Sequence, residues 1–282
     1  MMEKEEKKVT GAYEKAAEEG IDPRCIPQTL NSLPPVGDEI VTPHYSKEEN
    51  DVWGYLYNRQ TGLLEGRVCD EYIKGVELMG FSGKEIPSLK KLSSVLYEAT
   101  GWRVGRVPGL IQAQNFFNLL RDRIFPSTDY VRERHEIDYT PAPDCFHDIF
   151  GHMPLLTNPN FANFYQKFGE AALVAKGEQQ IFLERFHWFT VEFGLITNSA
   201  GRRIYGAGIV SSFKEVDHAL GSEVQVIDFD PYKITSQEYE VWHLQPILFS
   251  IDSFEQLEEV LTIGQKKRDF ELIIKNNVIT FN

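Results

Sequence analysis

Apolar residues recur at helical spacing along most of this chain, and the texture changes near residue 200. The first strong pattern is "SKEENDVWGYLYNRQTGLL", where Ser46 and Glu49 have the offset of a capping box. "SLKKLSSVLYEATG" keeps Leu89, Leu92, Val95 and Leu96 in phase and puts Gly101 where a helix stops. "LIQAQNFFNLLRDRIF" turns Ile111, Phe116, Leu119 and Leu120 inward, and "NFANFYQKFGEAALVAKG" follows with a longer helical pattern. "EQQIFLERFHWFTVEFGLIT" is apolar on nearly every side, which predicts a buried central helix. Beyond it, "RRIYGAG", "VQVIDF" and "VWHLQPILFSI" favour short strands, and "SFEQLEEVLTIGQKKRDFEL" a final helix. The sum is a mainly α fold: one domain of packed helices with a few short β-strands over residues 46–282. Residues 1–45 are polar and carry "IPQTLNSLPPVGDE", which predicts an arm draped over that domain, partly disordered at its charged start.

Composition narrows the partners. A net charge of −13 over 282 residues argues against nucleic-acid and anionic-membrane surfaces. No apolar stretch reaches membrane-spanning length, and the N-terminus is charged where a signal peptide would be apolar. Cys25, Cys69 and Cys145 are too scattered for a disulfide framework or a zinc knuckle. A cytoplasmic protein with small-molecule partners is expected. No heptad tail suits a tetramerising coiled coil, so a monomer is expected.

The chemistry concentrates in "PAPDCFHDIFGHMPLL", residues 141–156. His147 and His152 lie five apart, not four as in His-Glu-x-x-His. On a continuous α-helix about 140° would separate them. Pro141 and Pro143 hold an extended lead-in, Asp144 suits an N-cap, and a short helix from Cys145 would carry His147. A left-handed Gly151 would end that turn and fold His152 back, so that two imidazoles converge. Packing or capping is the plain alternative for both histidines.

A third ligand has to come from elsewhere, and Glu192 is the best candidate. It is the one acid in "RFHWFTVEFGL", bracketed by aromatic and aliphatic residues. A carboxylate buried there costs several kcal/mol unless a cation or hydrogen bonds compensate. The alternative is a salt bridge to Arg185, Arg202 or Arg203. Two imidazoles and one carboxylate describe the facial triad of non-haem Fe(II) oxygenases, and a zinc hydrolase with His₂Glu is the rival.

"YTPAPDCFHDIFGHMPLL" and "HWFTVEFGL" together resemble the pterin-dependent aromatic amino acid hydroxylases, and "YGAGIVSSFKE" and "GLIQAQNFFNLL" match further blocks in the same order. The likeness runs from about residue 45 to 250 and resembles a bacterial catalytic domain alone. It implies Fe(II) held by His147, His152 and Glu192, with a tetrahydropterin (tetrahydrobiopterin or a relative) and O₂ meeting at the iron. Carried over position by position, it implies that Arg132 grips the substrate carboxylate and that Thr140 and Ser211 are substrate-side hydroxyls. Ser211 would also orient the His147 ring, and Asp144 would be a carboxylate supporting a ligand. Pro143, Trp188, Phe193 and Gly208 would wall the substrate ring pocket; core packing is the plain alternative. Phe116 would stack on the pterin, Leu110 and Ile111 would present backbone to it, and Asp148 would lie on the pterin side.

The likeness is not complete. His187 stands where animal enzymes carry tyrosine, Ala142 and Asp148 where they carry glutamate, and Ala113 replaces a pterin-contacting serine. Trp188 matches the phenylalanine and tyrosine hydroxylases, whereas animal tryptophan hydroxylases have phenylalanine there. A bulkier wall favours one ring over an indole, so L-phenylalanine is the expected substrate and L-tyrosine the product. Tryptophan or tyrosine hydroxylation is the alternative.

Overall fold

The structure, a computed structural model, describes residues 22–199, 201–241, 243–261, 272–274 and 277–279. Helix α1 (Lys47–Leu64) begins at the expected capping box. Glu49 N–H donates to Ser46 Oγ at 3.2 Å, and Ser46 N–H donates to Glu49 Oε2 at 2.7 Å. Helices α2 (Asp70–Met79) and α3 (Leu89–Thr100) each stop at a left-handed glycine, Gly80 and Gly101. The segment read as one helix from Leu110 to Phe125 is shorter: α4 spans Ala113–Arg121. Arg123 breaks it with φ 56°, anchored by hydrogen bonds to Thr100 O, Asn163 and Gln166. Ile111 precedes the helix, and Ile124 and Phe125 enter a strand instead.

That strand, β2 (Ile124–Thr128), pairs in parallel with β1 (Arg103–Val107), so β1, α4 and β2 form one crossover unit. Helix α5 (Pro159–Val174) is capped by Asn158 and lies along α4. Gly169 allows this approach, because a Cβ there would come within 2.7 Å of the Leu120 Cβ. Helix α6 (Glu178–His187) is the first half of the predicted central helix. From Trp188 to Glu192 the winding widens to a π-helical turn, and the chain then enters β3 (Leu195–Asn198). Phe186, Trp188, Phe189 and Val191 are buried, as the all-round apolar pattern requires.

The later strands β4 (Gly201–Ile204), β5 (Gln225–Asp228) and β6 (Ile247–Ile251) join β3 in the order β4-β3-β6-β5. Only β3–β4 is antiparallel; the other two pairings are parallel. Short helices α7 (Ala207–Val210), α8 (Phe213–Ala219) and α9 (Pro231–Ser236) link these strands. Of the expected final helix, α10 (Glu255–Val260) is described, and at its predicted end Leu272 instead opens a hairpin of β7 (Leu272–Ile274) and β8 (Asn277–Ile279). The rest of that prediction lies outside the described residues.

From residue 22 onward the arm runs against the β1–α4 region. Gln28 N–H donates to Leu110 O at 2.8 Å, Gln112 N–H donates to Gln28 O at 2.9 Å, and Val36 bridges to Gly105. The charged start of the arm lies outside the described residues. One core cluster extends from Ile40 to Leu261, with Trp53, Trp102, Tyr165 and a column of phenylalanines fully buried. No described helix is long and apolar enough to cross a membrane.

Candidate metal centre

His147 to His152 form a π-helical turn. Its i→i+5 bonding stacks residues five apart, as i→i+4 bonding stacks residues four apart in an α-helix. The expected left-handed Gly151 is therefore wrong: it is not among the residues with positive φ. Glycine is required there for a different reason. A Cβ would come 2.9 Å from Ala207 O and 3.3 Å from Ala207 Cβ, so it permits the turn to lie against α7.

The second π-helical turn delivers Glu192 to the same point. His147 Nε2 and His152 Nε2 lie 3.0 Å apart, and the Glu192 oxygens lie 3.6 and 3.3 Å from them. Among the described residues no arginine pairs with Glu192; Arg185 faces Glu238. Two ligand atoms each about 2.1 Å from one ion and at right angles are about 3 Å apart, which the two nitrogens match. All three ligand atoms lie within 4.8 Å of one another.

The hydrogen bonds prepare the first histidine for a cation. Ser211 Oγ donates its one proton to Ala207 O at 2.8 Å, so it accepts from His147 Nδ1 at 2.9 Å. The His147 proton is thereby held on Nδ1, and Nε2 keeps its lone pair. Burial lowers the His147 pKa to about 4, which favours the neutral ligand form. For His152, burial is more than offset by the Glu192 carboxylate, and its pKa rises. Burial opposes the charge on Glu192, but His152, His147 and His187 together hold its carboxyl well below the usual range. The donor set and its convergence fit a divalent metal with open positions facing the cleft.

That cleft has a volume of about 850 Å³. It brings together Leu110, Ile111, Phe116, Arg132, Thr140, Pro143, Asp148, Trp188, Phe193, Gly208 and Ser211 around the histidines and Glu192. Asp144 alone among the predicted residues lies behind the wall, fully buried. It accepts from Arg132 Nε and Nη2, both at 2.9 Å, and from the His147 N–H at 3.1 Å. It caps the turn through the backbone and makes no hydrogen bond to the His147 ring, whose Nδ1 is held by Ser211. Burial opposes its charge, yet Arg132 keeps its pKa lowered. Arg132 is buried too, so it is not a solvent-facing arginine of the charged run Arg132–Arg134.

Other positions are tied down locally. Thr140 Oγ1 donates to Ala142 O, and Pro143 O accepts from Tyr130. The Leu110 carbonyl is taken by Gln28, which leaves less of that backbone for a ligand than expected. Asp148 accepts from Thr128 N–H at 2.7 Å, and burial raises its pKa to about 7.

Residues 32–280 match the model of the family described as biopterin-dependent aromatic amino acid hydroxylase. The chain belongs to this family.

Among its relatives is the phenylalanine-4-hydroxylase of Pseudomonas aeruginosa, 44% identical over 76% of this chain and 82% of that protein. The apo cold-active phenylalanine hydroxylase of Colwellia psychrerythraea superposes with a TM-score of 0.78 at 39% identity, covering 83% of this chain and 90% of that one. A Chromobacterium violaceum phenylalanine hydroxylase with bound iron(III) and 7,8-dihydrobiopterin gives 0.74 at 44% identity, over 76% and 79% of the two chains. Membership removes the zinc-hydrolase rival. For a hydroxylase of this family the cleft also holds residues that the sequence motifs did not single out. Tyr239 stacks on Trp188 at 4.4 Å; His187, which replaces a tyrosine of the animal enzymes, meets Tyr165 Oη at 2.9 Å. Glu215 lines the cleft as well. Tyr239 lies outside the matching blocks, and no spacing rule links it to Trp188.

Proposed function

We propose that this protein is a phenylalanine 4-hydroxylase that converts L-phenylalanine to L-tyrosine, using Fe(II), a tetrahydropterin and O₂. The observation that carries this reading is the convergence of His147, His152 and Glu192 in an aromatic-walled cleft that Arg132 also lines. On this reading His147, His152 and Glu192 hold the iron, and iron with reduced pterin supplies the activation of O₂.

The chain's own groups bind, orient and exclude water. Ser211 fixes the His147 ring through Nδ1. Arg132, aligned by Asp144, receives the substrate carboxylate; its Nη1 makes no hydrogen bond among the described residues. Thr140 and Ser211 supply hydroxyls at the same end. Pro143, Trp188, Phe193 and Gly208 wall the ring, and Tyr239 stacks on Trp188. A Cβ at Gly208 would press on the Phe193 ring at 3.1 Å, so glycine there keeps the wall flat. Phe116, Leu110, Ile111 and Asp148 face the pterin. Trp188 favours one ring over an indole, a preference worth about 1–3 kcal/mol.

The reading includes a catalytic domain over residues 46–282, an arm over 1–45, and a monomer in the cytoplasm. The cysteines Cys25, Cys69 and Cys145 are free and buried, in keeping with a reducing compartment. Turnover of iron-loaded protein with tetrahydropterin and phenylalanine, tyrosine or tryptophan tests the reading. Tyrosine formed fastest from phenylalanine is the expected result. Preferred hydroxylation of tryptophan or tyrosine, or no pterin-dependent product from any of them, overturns it.

A further inference from the structure

A phenylalanine substrate carries two charges, and Arg132 accounts for one. The α-ammonium needs an acceptor in the same cleft. The lining acids are Asp138, Asp148, Glu184, Glu192 and Glu215. Asp138 is paired with Arg59 at the exposed rim, and Asp148 accepts from Thr128 N–H. Glu184 accepts from Tyr239 Oη, and Glu192 belongs to the metal cluster. Glu215 is different. It is only 8% exposed, its Oε2 has no hydrogen-bond partner, and it forms no ion pair among the described residues. It sits four residues after Ser211, in the first turn of α8.

We propose that Glu215 is the acceptor for the α-ammonium group of the amino acid, so that Arg132 and Glu215 form a two-ended clamp for a zwitterion. This rests on the phenylalanine hydroxylase reading and extends it to a class, free α-amino acids in preference to aromatic acids without the amine. A buried carboxyl without a partner is destabilising in the free protein. Burial pushes the Glu215 carboxyl up to about 7, which expresses the same cost. A ligand ammonium relieves it, so the residue spends stability of the free protein on recognition. A site built around a buried polar group also discriminates strongly against an analogue that leaves that group unpaired.

Anaerobic binding to iron-loaded protein tests this, with L-phenylalanine and 3-phenylpropanoate as ligands and Glu215→Gln as the variant. Removing one partner of a buried charge pair weakens binding by about thirty-fold or more. Glu215→Gln should lose about that factor for phenylalanine and raise its KM more than it lowers kcat. It should bind 3-phenylpropanoate as well as wild type or better, and melt no lower in the absence of ligand. Equal losses for both ligands, or unchanged phenylalanine binding, overturn the assignment and leave the hydroxylase reading standing. If the variant does not fold, the wild type decides: equal affinity for the two ligands overturns the clamp. Failure of the wild type to bind phenylalanine at all overturns the hydroxylase reading with it.

Discussion

Arg132 and Asp144 are joined by two parallel hydrogen bonds of 2.9 Å, with both side chains out of solvent. The same carboxylate accepts the backbone N–H of His147 at 3.1 Å. One buried acid thus ties the arginine proposed for the substrate carboxylate to the segment that carries a proposed iron ligand. A planar guanidinium suits this, because its fork meets Asp144 edge-on and leaves Nη1 for a ligand.

Asp144→Asn leaves the Arg132 charge buried with a weakened partner. Breaking a buried pair in this way costs about 3–5 kcal/mol. Denaturant unfolding should show a loss of that order, and the KM for phenylalanine should rise in whatever protein folds. Wild-type stability in this variant would refute the coupling.

Ser211→Ala removes the acceptor of the His147 Nδ1–H without opening a large void. Losing such a support typically costs about 10–100-fold in metal affinity or activity. Iron titration of the variant measures it. Unchanged affinity would mean that Ser211 does not orient the ring.

Glu192→Gln should cost more iron affinity than Ser211→Ala, because it removes a proposed ligand itself. Binding to the folded state alone stabilises it, by about 2.7 kcal/mol at a hundred times Kd. Wild-type protein should therefore melt higher with Fe(II) than after chelation, and that difference should vanish in Glu192→Gln. Persistence of the iron-dependent shift would place the metal elsewhere.

Gly151→Ala separates the two explanations of that glycine. The backbone there is not left-handed, so the cost is steric, against Ala207. Overpacking of this kind costs about 1–3 kcal/mol. Because the displaced turn carries both histidines, iron binding should weaken along with stability. A variant as stable as wild type that binds iron normally would contradict the close approach to α7.

The Glu215 carboxyl is pushed from 4.5 to about 7 by burial. Between those values the folded state keeps a proton that the unfolded state has released, so stability falls as pH rises through the window. The penalty is complete above about pH 7. Glu215→Gln removes it, so metal-free variant should gain on metal-free wild type between pH 4.5 and 7. Denaturant unfolding at pH 4.5 and pH 8 checks this; a difference that is the same at both pH values would refute it.

The sequence by itself determined the helices whose signals are local. Ser46 and Glu49 set the start of α1, Gly101 the end of α3, and the apolar phase the buried faces, because each depends on neighbours within a turn or two. Residue chemistry also marked His147, His152 and Glu192, since a carboxylate among aromatics demands a partner wherever the chain goes. Tertiary structure decided the rest. The winding of His147–His152 and Trp188–Glu192 into π-helical turns is set by packing against α7 and the aromatic core, and no residue period announces it. The parallel β1–β2 pair, the burial of Arg132 behind Asp144 and the solitary Glu215 depend on segments distant in sequence. Periodicity records which face of an element is buried. Which groups face each other across a cleft is fixed only when the elements pack.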